Sequence, residues 1–145
     1  MLESEINRSL TTVPNYIGTF AVDELKNIKI RSRKVFLIIN LSKRSEEGTH
    51  WLAVAIYTND IFICDSTGLL DERNLPVELN NFLYIHCFGR KLYITRQLQP
   101  KYSANCGYYC IFFVKYMQNH TFCEFLNSFS LNYTVNDLLV YIYCK

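Results

Sequence analysis

The sequence predicts an α+β domain, a central mixed β-sheet packed against helices with one buried helix at its centre. Three observations carry this. Short β-branched apolar runs of strand length cluster in the first half of the chain, as in Lys34-Val-Phe-Leu-Ile-Ile-Asn-Leu41. The stretch from Cys106 to Met117 is apolar almost all round, and such a helix belongs inside a fold rather than on its surface. In chain order the strands come first with helices around them, as in an α+β arrangement.

The elements follow in order. Residues 1–16 read as an N-terminal helix or arm, broken at Pro14. Lys34–Leu41 is a buried strand, and the charged stretch Ser42 to Gly48 is a loop. Trp51–Tyr57 and Ile61–Cys64 are strands joined by a tight turn at Thr58-Asn59-Asp60. Pro76 suits the first turn of a helix over Val77–Cys87, with Val77, Leu79, Phe82, Leu83 and Ile85 at helical spacing and Gly89 ending it. Lys91–Leu98 alternates through Leu92, Ile94 and Arg96 as a strand does, and Pro100–Asn105 is a loop before the apolar helix. Thr134 with Asp137 resembles a capping box opening a last helix, with Leu138, Leu139 and Ile142 on one face.

Composition bounds the function. At 145 residues the chain is expected to form one domain over 1–145, large enough to need no disulfide staples. Eleven Tyr and ten Phe point to a tight aromatic core, with a peptide-binding groove as the second reading. A net charge of +2 gives no case for a nucleic-acid protein. The basic stretch Lys26, Lys29, Arg31, Arg33 and Lys34 reads as a solvated face, and otherwise as a weak polyanion contact. The polar opening and the absence of a membrane-length apolar run predict an intracellular, membrane-free chain whose six cysteines stay reduced. There is no pair of CxxC motifs, so a four-thiolate zinc site has no support, and no metal is expected at Cys106, Cys110 and His50.

Four residue positions carry chemistry together. Cys106 sits where a polar loop enters the apolar helix, and the partial positive charge of a helix N-terminus favours the thiolate. Alone it reads equally as a small buried hydrophobe. Gly107 beside it lets a substrate backbone approach. His50 opens the strand Trp51-Leu-Ala-Val-Ala, and Asp65 ends the next strand ahead of Ser66-Thr67-Gly68. An antiparallel register that sets Asp65 opposite Leu52 makes His50 its same-face diagonal neighbour; a shift by one turns Asp65 to the other face. Gln99, on the loop before Cys106, can donate amide hydrogens to an oxyanion together with the Cys106 N–H, and Gln97 is its competitor.

These residues resemble a known family. Gly48-Thr49-His50-Trp51-Leu52-Ala53, then Asp65-Ser66-Thr67-Gly68, then Gln99-Pro100-Lys101-Tyr102-Ser103-Ala104-Asn105-Cys106-Gly107-Tyr108-Tyr109-Cys110 are similar to the adenovirus proteases (adenains), relatives of the ubiquitin-like-protein proteases. The segment Tyr16-Ile17-Gly18-Thr19-Phe20 is similar to that family's N-terminal region. The resemblance implies a cysteine endopeptidase with Cys106 as nucleophile, His50 as base, Asp65 as orienter and Gln99 in the oxyanion hole. Its glutamine-to-cysteine spacing selects Gln99 over Gln97. It also implies a substrate cleft near Gly48, Trp51 and Gly107, with Trp51 as wall or core anchor.

From the same resemblance come polypeptide substrates, viral precursor proteins cut at Gly-containing sites. The setting it implies is the host nucleus or cytoplasm, and the virion. No cofactor is needed for the chemistry. Family activation is by a short peptide, disulfide-linked to an enzyme cysteine, and by DNA. Cys87 falls near that position and is equally at home on a helix face, while Cys64, Cys123 and Cys144 read as packing and His86 and His120 show no partners. Two departures stand out: Asp65 replaces a glutamate, more like the modifier proteases, and the chain is shorter at its C-terminal end. Removal of ubiquitin-like modifiers is the first alternative function, and a non-catalytic interaction domain is the second.

Overall fold

The computed structural model describes residues 1–45 and 50–144. Its frame is a five-stranded sheet in the order β1 (Tyr16–Ala21), β2 (Val35–Asn40), β3 (Trp51–Ile56), β4 (Asp60–Cys64), β5 (Lys91–Ile94). The two outer pairs, β1 with β2 and β4 with β5, are parallel, and the inner pairs are antiparallel. Helices α1 (Glu3–Leu10), α2 (Val77–Cys87), α3 (Cys106–Tyr116), α4 (Phe122–Asn127) and α5 (Tyr133–Tyr143) surround it, with a 3-10 helix over Val22–Asn27.

The β-branched runs become central strands because both faces of the sheet are covered. One core takes Leu37, Ile39, Leu52, Val54, Ile56, Ile61 and Ile63 against α2 and the 3-10 helix. The other takes Phe36, Ile38, Ala53, Ala55 and Cys64 against α1, α3, α4 and α5. Alternate residues of each strand therefore divide between two cores, as the two-residue period of a strand requires. Ala53 and Ala55 are wholly buried on β3, the strand that α3 packs against, and their small side chains let the helix backbone come close. Ile111, Phe113 and Val114 of α3 are fully or almost fully buried, as expected for a helix without a polar face. The expected aromatic core is present: Phe112 stacks on Tyr116 at 5.3 Å and meets Phe129 edge-on at 5.5 Å.

Several sequence expectations are corrected. The fifth strand stops at Ile94; beyond Thr95, whose N–H still reaches Ile63 of β4, the Leu98 and Gln99 N–H groups bond to the Ser66 carbonyl after β4. Of the apolar positions of α2, Leu79, Phe82 and Leu83 are buried, together with Cys87, whereas Val77 and Ile85 are 70% and 72% exposed. In α5 the buried positions are Asn136 and Val140, whereas Leu138, Leu139 and Ile142 face outward. The cap of α5 is Asn132, whose side chain accepts from the Val135 N–H; Thr134 lies inside the helix and Asp137 points away from its start. Cys123 is exposed rather than packed. His120 lies on the Tyr116 ring at 4.0 Å and pairs with Glu124 at 3.7 Å, and His86 tilts against Phe82 at 4.8 Å, so both have partners. Strand β1, the 3-10 helix and α4 carried too little periodicity over too few residues to be assigned from sequence.

Candidate active site

The site forms where β3 begins, β4 ends and α3 starts. The register of β3 with β4 sets Ala53 opposite Cys64 and Ile56 opposite Ile61. Extended by one pair, it puts Asp65 opposite Leu52 and leaves His50 as the diagonal neighbour. The two side chains are in contact: His50 Nε2 lies 2.8 Å from Asp65 Oδ1. Asp65 is completely buried, which for a carboxylate demands full hydrogen bonding. It has that. Oδ1 also accepts from the Thr67 hydroxyl at 2.7 Å and the Thr67 N–H at 3.2 Å, and Oδ2 accepts from the Leu70 N–H at 2.9 Å. Its main chain is clamped by Thr95, whose hydroxyl accepts from the Asp65 N–H at 2.9 Å and donates to the Asp65 carbonyl at 2.8 Å. Burial would raise the Asp65 pKa, and the His50, Thr67 and Leu70 hydrogen bonds outweigh it, so the carboxyl is held below its ordinary range.

With Nε2 on Asp65, Nδ1 is the ring nitrogen left for the Cys106 thiol, and the two groups influence each other's protonation. Burial pushes the imidazole pKa down, but the bonds to Asp65 and Cys106 prevail and raise it to about 9. For Cys106 burial pushes up; His50, the Trp51 N–H at 3.5 Å and the Gly107 N–H push down more strongly, leaving the thiol below its ordinary value. Cys106 is the first residue of α3, so the helix dipole acts in the same direction. The other buried thiols, Cys64 and Cys110, are raised by burial.

Gln99 is 2% exposed and fixed at both ends of its amide. Oε1 accepts from the Ser66 hydroxyl at 2.5 Å, and Nε2 donates to the Ser103 carbonyl at 3.0 Å, which uses one of two amide hydrogens. The Ser66 carbonyl accepts from the Leu98 and Gln99 N–H groups at 2.8 and 3.0 Å, which brings the glutamine beside the acid. Gln97 instead donates from Nε2 to the Gln99 carbonyl at 2.9 Å, so its amide supports the loop. A cleft of about 500 Å³ is lined by His50, Trp51, Asp65, Gln99 and Cys106, together with Met1.

Residues 18–138 match the adenovirus endoprotease family. The chain belongs to that family. Adenovirus endoproteases are cysteine endopeptidases, and in this member His50, Asp65, Gln99 and Cys106 line one cleft. Among solved structures, the crystal structure of the ASFV pS273R protease is similar in fold, with a TM-score of 0.51 at 16% identity. The match covers 78% of this chain and 45% of that one, so the chain spans under half of the ASFV protease's length. A comparison with curated proteins finds no match.

The structure also places the remaining expected residues. Trp51 is part of the cleft, and its indole N–H donates to the Met1 carbonyl at 3.2 Å. Gly107 does not line the cleft. A Cβ there would stand 2.8 Å from Met1 Sδ, so the space beside it holds Met1 and not an approaching backbone. Gly48 lies outside the described residues. Cys87 is 3% exposed, its thiol is raised by burial, and it borders a surface cleft with Leu83, Tyr84 and Arg90. Lys26, Lys29, Arg31 and Arg33 are exposed, whereas the Lys34 ammonium sits over the Phe36 and Tyr57 rings. Among the described residues no group of three or more His, Cys, Asp or Glu is placed to hold a metal, and no helix is long and apolar enough to cross a membrane.

Ser66, Thr95, Ser103 and Met1 were missed as site residues. Ser66 and Ser103 left a signal, since both stand in motifs already picked out. Gly68 shows what the acid loop costs in sequence freedom. Its φ is +69°, and a Cβ there would fall 2.4 Å from the Gln97 backbone nitrogen. Gly68→Ala combines a left-handed residue with a backbone collision and should lower stability by about 1–3 kcal/mol. The midpoint of urea unfolding measures this, and an unchanged midpoint would refute the close approach.

Proposed function

We propose that this chain hydrolyses peptide bonds through Cys106, His50 and Asp65, with Gln99 and the Cys106 N–H holding the oxyanion. The observation that carries the proposal is the single imidazole bonded to a buried carboxylate and lining one cleft with the helix-terminal thiol, whose sulfur accepts from the N–H of Trp51, the residue next to His50. The thiol proton moves to His50, giving a thiolate and an imidazolium that Asp65 orients and stabilises. The thiolate sulfur attacks the scissile carbonyl carbon, and the carbonyl electron pair moves to oxygen, where the Gln99 amide and the Cys106 N–H receive it. Collapse expels the amine, which takes its proton from His50. Water, deprotonated by His50, then hydrolyses the thioester and restores the thiol.

By family likeness the substrates are precursor proteins of a virus or virus-like element, cut at Gly-containing sites. The pair Asp65-Ser66, which is more like the modifier proteases, supports a second reading in which a ubiquitin-like modifier is removed. The purified chain given a peptide library and a modifier fusion separates them. Library cleavage with the fusion left intact supports the first; release of the modifier with the library untouched supports the second.

The oxyanion assignment has its own measurement. Gln99→Ala should lower kcat by about 10²–10³ with little change in KM, because the lost hydrogen bond strengthens only as charge develops. Gln97→Ala should lose far less, since its amide is spent on the loop. Steady-state kinetics that rank the two the other way round would move the oxyanion donor to Gln97.

A further inference from the structure

Asp137 is the only acid in α5, and it reaches back to the loop before Cys106. Its Oδ2 accepts from the Ser103 hydroxyl at 2.7 Å and the Asn105 amide at 3.1 Å, and its Oδ1 accepts from the Tyr109 hydroxyl at 2.7 Å. All of these donors lie between Gln99 and the first turn of α3. Ser103 then offers its carbonyl to Gln99 Nε2 at 3.0 Å. A carbonyl can only accept, so this contact admits the amide with its NH2 side toward Ser103. The Ser66 hydroxyl on the other side can donate or accept and does not discriminate. The direction of the Gln99 amide is therefore decided at Ser103, and Ser103 is held by Asp137.

We propose that Asp137 is a positioning residue for the oxyanion hole, acting through Ser103 to keep an amide hydrogen of Gln99 aimed at the developing oxyanion. The inference rests on the catalytic reading above. Tertiary placement is the whole of its support, since Asp137 stands 38 positions after Gln99 in the chain and on a helix that does not line the cleft.

The test is a kinetic cycle of Asp137→Ala with Gln99→Ala on one peptide substrate. Asp137→Ala alone should lower kcat by about 10- to 100-fold and leave KM within about twofold, because it displaces a transition-state donor without removing it. In the Gln99→Ala background it should cost no more than about twofold, since the donor it aims is already gone. The rate of Cys106 alkylation should not change, as the thiolate and His50 are untouched. A loss of equal size in both backgrounds, or a matching loss in alkylation, overturns the proposal and makes Asp137 merely structural. Ser103→Ala, which removes one hydroxyl, carries the same cycle if Asp137→Ala does not fold. Cys106→Ala is the control for the underlying reading. If that variant still cleaves, the nucleophile assignment fails and the oxyanion role falls with it; if it is dead and the cycle is additive, only the role of Asp137 falls.

Discussion

Cys106→Ala should abolish peptide cleavage, a loss on the order of 10⁵–10⁶ in kcat, with the fold intact. The size follows from the role: without sulfur there is no acyl-enzyme, and only binding and the oxyanion donors remain. Cys110→Ser should keep most activity, because Cys110 is 1% exposed and its thiol is raised by burial. The pH dependence carries more information. The thiol of Cys106 is held below its ordinary range, and His50 is raised to about 9. Below the lowered thiol value Cys106 gains a proton and the nucleophile is lost. Above about pH 9 His50 loses its proton, and with it the charge that stabilises the thiolate and the acid that protonates the leaving amine. Between these limits the ion pair persists. Alkylation by iodoacetamide at mildly acidic pH, followed by peptide mapping, should therefore label Cys106 first. Cys123 is the exposed thiol, so accessibility alone favours it. Labelling of Cys123, Cys110 or Cys87 ahead of Cys106 would show that the pair does not form.

Asp65→Asn should lower kcat/KM by about 10³–10⁴. The carboxylate has two acceptor oxygens, and both are used: Oδ1 by His50 and Thr67, Oδ2 by Leu70. An asparagine has one acceptor oxygen, and its NH2 must then face donors on one side or the other. Whichever way it turns, His50 loses the negative charge that keeps its pKa up. The alkaline limb of the kcat/KM profile should move to lower pH, and the Cys106 labelling rate at neutral pH should fall. A variant within about tenfold of the parent in kcat/KM, with the profile in place, would mean that another group orients the imidazole.

Much of this site was legible because its signals are local. A cysteine at the boundary between a polar loop and an apolar run is visible within a few residues, as are a histidine opening a strand and an acid closing one. Their order and spacing then matched the adenovirus endoprotease pattern. The glutamine was harder. Gln97 and Gln99 are chemically identical and two positions apart, and spacing selected one of them only through the family resemblance. In the structure the difference is concrete: Gln99 is bonded to Ser66 and Ser103, and Gln97 to the loop backbone. Gly107 was read from its missing side chain beside the nucleophile, and in the structure the side chain of Met1 fills that space.

The sequence by itself determined the element types outside β1, the 3-10 helix and α4, the burial of the central strands and the order of the candidate site residues, because side-chain period and local composition are properties of short segments. Only the tertiary structure decided the rest. The pairing of Ala53 with Cys64 is one of two registers the turn would have allowed, and it alone puts Asp65 on His50. The helical periods of α2 and α5 marked an apolar face but not which neighbours would cover it, and Val77, Ile85, Leu138 and Ile142 end up outside. The supports of the site, Ser66 and Thr95 for the acid and the glutamine and Asp137 for the loop, come from segments far apart in the chain. A hydrogen bond between such segments depends on how helices and strands are packed, and no local pattern of residues encodes that packing.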